Sequence, residues 1–141
     1  MNYKTIGDYP SQLDDNQLKT YISILLNIAD VDGISDNEMN LIDNLSSQAS
    51  VSSELLSDCK NSYKNFDMSS LPNYHKNWVY CILRDAILIA NCDDGISDDE
   101  SALLQTIASY GDVDKAEFDL IKDITLSQLR ISESWNSLLS V

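Results

Sequence analysis

A single histidine, His75, in 141 residues leaves little scope for imidazole-based catalysis or a histidine-rich metal centre. Four Gly and two Pro exclude collagen-like and linker-rich chains. The three cysteines, Cys59, Cys81 and Cys92, are odd in number and show no C-x-x-C spacing. A disulfide framework or a cysteine zinc cluster would need closer, paired spacings. Each cysteine instead sits among apolar residues as a small reduced thiol. Basic side chains are scarce: nine Lys and Arg face 23 Asp and Glu, for a net charge of −14. Such a chain repels phosphate backbones and anionic membrane surfaces, so nucleic acid is not an expected partner. The longest apolar stretch, 78–90, is interrupted by Arg84 and Asp85 and is too short to span a bilayer, so no direct membrane insertion is expected. Residues 1–15 carry no apolar run after Lys4 and do not read as a signal peptide, which makes the cytoplasm the expected location. No phosphate loop, Rossmann fingerprint or G-x-S-x-G elbow occurs, so no catalytic residue is assigned and a non-enzymatic role is expected.

What the chain does have is helical periodicity, twice. Its hydrophobic fraction of 43% can fill one core, and a domain of this size buries roughly 68–70% of its unfolded surface. Residues 1–14 read as a lead-in with Gly7 and Pro10. Leu18, Tyr21, Ile22, Leu25, Ile28 and Ala29 then recur at gaps of three and four, the mark of one helical face. Asp32-Gly33 turns the chain, and Ser35-Asp36-Asn37-Glu38 has the form of a capping box opening a second helix with Leu41, Ile42 and Leu45 inward. Ser52 or Ser53 caps a third helix carrying Leu56, Cys59 and Tyr63.

The pattern returns. Val79, Ile82, Leu83, Ala86, Ile89 and Ala90 repeat the first helix 61 residues on, and Asp94 to Glu100 repeats Asp32 to Glu38 at 62 residues, one residue having entered the second turn. Leu103, Leu104 and Ile107 follow, Gly111 marks a helix end, and Asp114 caps a sixth helix with Phe118, Ile121 and Ile124. Ser132 caps a short seventh helix, about 132–139, carrying Trp135, Leu138 and Leu139, and Trp135, like the other aromatic residues, reads as core packing. The expected fold is therefore all-α: one domain, 15–141, of about seven helices built from two pseudo-repeated three-helix units, about 15–66 and 76–128. Each half of the chain nets −7, so the charge divides as evenly as the pattern.

The repeated element, helix then Asp-Gly, Ile-Ser, two residues and Glu, resembles the TerB-like family of all-helical proteins from tellurite-resistance and stress-response systems. A related domain precedes the J-domain of a DnaJ-like membrane-anchored co-chaperone. The resemblance rests on Ala29, Asp32, Gly33 and Glu38, with Ala90, Asp94, Gly95 and Glu100 in the second copy, and covers roughly 15–128. It implies a compact array of about seven helices and a proposed role in binding divalent metal. The family pattern runs Ala, one residue, then Ala-Asp-Gly; here Asp30-Val31 and Asn91-Cys92-Asp93 stand before the Asp-Gly pair.

Two readings of the acidic turns follow. Asp30, Asp32, Asp36 and Glu38 lie within nine residues, and Asp93, Asp94, Asp98, Asp99 and Glu100 within eight. Hard oxygen ligands at this density suit Mg²⁺, Mn²⁺ or Ca²⁺. Alternatively the same carboxylates cap and complement helix N-termini, where each gains about 0.3–1 kcal/mol from the helix dipole. An EF-hand is excluded: aligning Gly33 with the loop glycine puts Ile28 and Met39 at the terminal ligand positions, and Gly95 puts Ala90 and Ser101 there. His75 reads as a cap or surface residue. The leading functional expectation is a TerB-like cytoplasmic stress-response module that docks protein partners, as a monomer or at most a weak dimer. The alternative is an acidic inhibitor or immunity-type protein that neutralises a basic partner such as a toxin.

Overall fold

The computed structural model describes residues 9–140, and among them every regular element is helical. Most of the 1–14 lead-in lies outside the described residues; its end forms a short 3₁₀ turn, Pro10–Gln12. Six α-helices follow: α1 (Asp15–Ala29), α2 (Asp36–Gln48), α3 (Ser53–Ser62), α4 (Lys76–Ala90), α5 (Asp98–Tyr110) and α6 (Lys115–Leu139). Short 3₁₀ segments at Asp30–Asp32, Tyr63–Asn65 and Met68–Asn73 fill the bends.

Side chains close nearly every helix start. Asp14 and Gln17, Ser35 and Glu38, Ser97 and Glu100, and Asp114 and Glu117 each form a reciprocal capping box on α1, α2, α5 and α6. Ser52, not Ser53, caps α3, and the His75 ring accepts from the Asn77 N–H at the start of α4. The C-termini of α2 and α5 also end alike. Ser50 and Asp112 take positive φ of 60° and 58°, and Val51 and Val113 donate back to the carbonyls of Ser46 and Ala108, the six-to-one bond of a Schellman ending.

Helices α1 and α4 form the middle of the core. α1 packs on α2, α3 and α4, while α4 also meets α5 and α6. Tyr21, Ile22, Leu25 and Ile28 of α1 and Ile82, Leu83, Ile87 and Ile89 of α4 are almost wholly buried. At 25 cal/mol per Å², fully burying one such side chain stabilises the fold by about 1.5–3 kcal/mol. The end of α5 comes close to α4: a Cβ on Gly111 would stand 2.5 Å from Val79 Cγ1, so only glycine fits there without a shift.

One sequence expectation is corrected. The seventh helix does not exist as a separate element, because α6 runs unbroken from Lys115 to Leu139 through Ser132. No Gly or Pro interrupts that stretch, and serine alone does not end a helix that has no turn residue beside it. Its apolar residues are not core either: Ile124, Trp135, Leu138 and Leu139 are 49%, 58%, 64% and 75% exposed.

Candidate functional site

The two Asp-Gly turns, 62 residues apart in the chain, lie on the two walls of one cleft. Asp32, Gly33, Ser35 and Glu38 form one side and Asp93, Asp94, Gly95, Ser97 and Glu100 the other, around about 410 Å³. Ala29 and Ala90, the last residues of α1 and α4, make the floor between them. Both glycines adopt positive φ, 85° at Gly33 and 91° at Gly95, which side chains other than glycine rarely accept. That conformation reverses the chain after α1 and α4 and aims α2 and α5 away from the same point.

The glutamates that close each turn are caps first. Glu38 Oε1 accepts from the Ser35 N–H at 2.9 Å and Glu100 Oε1 from the Ser97 N–H at 3.0 Å. The serine hydroxyls accept from the Glu38 and Glu100 N–H groups at 3.1 Å. Both glutamates are thereby held nearly buried, at 7% and 8% exposure.

Asp93 ties the walls together. Its Oδ2 accepts from the Ser35 hydroxyl at 2.7 Å and its Oδ1 from the Asn37 amide at 3.1 Å. Asp93 belongs to the longer second turn, so the additional residue between α4 and its Asp-Gly pair supplies a carboxylate that reaches across to the first turn. Cys92 stands beside it with its thiol pKa raised, by burial first and then by Asp93 and Glu38. It stays a protonated thiol in the free protein.

Of the remaining expected ligands, Asp30, Asp36 and Asp98 stand outside the cleft. Asp30 accepts from the Tyr63 hydroxyl at 3.0 Å and lies 3.9 Å from the Lys64 ammonium, turned toward the segment after α3. Asp36 and Asp98 are exposed on the first turns of α2 and α5, where they complement the helix dipole. Asp32 and Asp94 are exposed on the cleft walls. The cleft thus gathers five of the eight expected carboxylates. Among the described residues, no three Asp, Glu, His or Cys side chains are arranged to hold a metal ion.

A second polar centre was not singled out by sequence reasoning. Asp85, in the apolar run of α4, is fully buried. It accepts from the Tyr21 hydroxyl at 2.6 Å and from Arg84 Nε at 2.7 Å, and Arg84 also leans on Cys81 Sγ at 3.5 Å. Burial raises the Asp85 pKa, with Arg84 and Tyr21 opposing it, and pushes the Cys81 thiol up to about 12. The only signal available in sequence was a charged pair, Arg84-Asp85, inside an otherwise apolar helix.

No helix among the described residues is long and apolar enough to cross a membrane. The chain matches no protein-family model, no curated protein and no solved structure.

Proposed function

We propose that the protein is a TerB-like, non-enzymatic helical module of a cytoplasmic stress-response system, and that it docks protein partners by taking a cationic side chain into the cleft between its two Asp-Gly turns. The observation that carries this reading is the convergence of both turns on one acidic cleft lined by Asp32, Glu38, Asp93, Asp94 and Glu100. The carboxylates surround a space suited to a lysine or arginine head more than a bare ion, since none of them closes into a cage. Net charge of −14 adds long-range attraction for such a partner and speeds encounter.

Units 15–66 and 76–128 are, on this reading, copies of one ancestral piece. The support is element by element. α1 and α4 each span 15 residues and α2 and α5 each span 13. Their caps, positive-φ glycines and Schellman endings recur at 61 or 62 residues. Duplication gives the cleft its two matching walls. An inhibitor or immunity-type protein blocking a basic enzyme remains the second reading, favoured by the same net charge; it has no use for a duplicated turn.

Calorimetric titration with a lysine-rich peptide tests the proposal, with Mg²⁺, Mn²⁺ and Ca²⁺ as separate arms. The peptide is expected to bind wild type and to bind Asp32→Asn/Asp94→Asn at least tenfold more weakly. The divalent cations are expected to produce no saturable heat and no rise in melting temperature that the double variant loses. A cation-specific rise lost in that variant would replace the docking reading with a metal site. Peptide binding indifferent to both substitutions would remove the cleft from the function.

A further inference from the structure

Helix α6 is apolar on two opposite sides. Phe118 and Thr125 are buried against the rest of the fold, while Leu120, Ile124, Ile131, Trp135 and Leu138 are 60%, 49%, 58%, 58% and 64% exposed. On a helix of 3.6 residues per turn these five outward side chains fall within about 60° of one another and run for nearly 30 Å. A contiguous outward stripe of this kind marks an interaction surface. We infer that it pairs with the same stripe of a second copy of this chain, antiparallel, as a two-fold dimer.

Charge selects that occupant. Residues 120–140 hold two basic and two acidic side chains, so the segment is neutral in a chain of net −14. A cationic partner has nothing to seek there, whereas a second copy meets no repulsion along the contact. Ile124, Ile131 and Leu138 recur every seven residues, the spacing of a helix-pair seam. Ser127 and Ser134 stand between them on the stripe, small enough to let a second helix approach. Asp123 and Arg130, also seven apart, share one flank of the seam. An antiparallel second copy sets each Asp123 beside the other copy's Arg130, two reciprocal pairs from one contact, as an isologous interface requires.

Sedimentation equilibrium of the full chain, from micromolar to millimolar concentration, tests the inference. A reversible equilibrium between the 15.8 kDa chain and twice that mass is expected. Ile131→Asp should raise the dissociation constant roughly tenfold or more, as loss of a central apolar contact does. Asp123→Arg and Arg130→Asp should each weaken the dimer, and Asp123→Arg/Arg130→Asp should restore it to near wild type. Circular dichroism should show the same helicity in all four variants, since every altered side chain is exposed. A chain that stays monomeric at millimolar concentration overturns the inference. So does a dimer indifferent to Ile131→Asp, and singles that weaken it without rescue by the double swap overturn the antiparallel arrangement.

Discussion

Asp85 is enclosed completely, and its two partners decide what its removal costs. Asp85→Ala leaves the half-buried Arg84 without its counter-charge and the Tyr21 hydroxyl without its acceptor, a loss expected at about 2–4 kcal/mol in denaturant unfolding. Tyr21→Phe removes one bond to a charged acceptor and should cost about 1.5–3 kcal/mol. The capping serines make a finer test. Ser35→Ala and Ser97→Ala each lose an N-cap, about 0.5–2 kcal/mol, but Ser35 also donates to Asp93. Ser35→Ala should therefore be the more destabilising of the two, and equal costs would mean that the bridge across the cleft adds nothing. At the start of α6, Glu117 accepts from the Tyr80 hydroxyl, the Asp114 N–H and Lys76, which hold its pKa below the ordinary 4.5. A carboxylate with a depressed folded pKa stabilises the fold above its unfolded value and loses that contribution as pH falls through the folded one. Unfolding followed from pH 6 downward should show Glu117→Gln losing less stability on acidification than wild type.

The elements divide into those that local pattern specifies and those that it does not. Helices α1 and α4 were legible from apolar spacing alone, and α2 and α5 because apolar spacing and a Ser-x-x-Glu box agree at each of them. Gly33 and Gly95 were legible as turns, and Gly33→Ala or Gly95→Ala should cost about 1–3 kcal/mol by forcing a side chain into positive φ. Open space around both positions makes that cost one of backbone strain, not of collision. The far end of α6 was misread because Ser132 and a cluster of apolar residues imitate a new capped helix, although nothing there breaks the old one. An apolar face also looks the same in sequence whether it meets the core or the solvent, which is why core packing was expected of Trp135. At concentrations low enough to keep the chain monomeric, ending it after Ser132 should leave the unfolding free energy within about 0.5–1 kcal/mol, as expected for surface positions, because the side chains of residues 133–139 are exposed.

At the scale of the molecule, the approach of the two turns is the feature that sequence could not reveal. Matching motifs predicted matching local shape, yet their meeting at one cleft depends on how α1 and α4 pack side by side. The bridge through Asp93 depended on a single additional residue whose side chain had no assigned direction. Net charge was legible from composition, and its consequence is a self-repulsion that salt should relieve. The central claim is that the two turns act as one site. Amide NMR shifts of labelled protein, titrated with a lysine-rich peptide, test it most directly. The account predicts that Gly33, Ser35, Gly95 and Ser97 shift together along one binding curve, with the exposed carboxylates of α3 and α6 unmoved. Shifts confined to one turn, or scattered over the acidic surface in proportion to exposure, would contradict it.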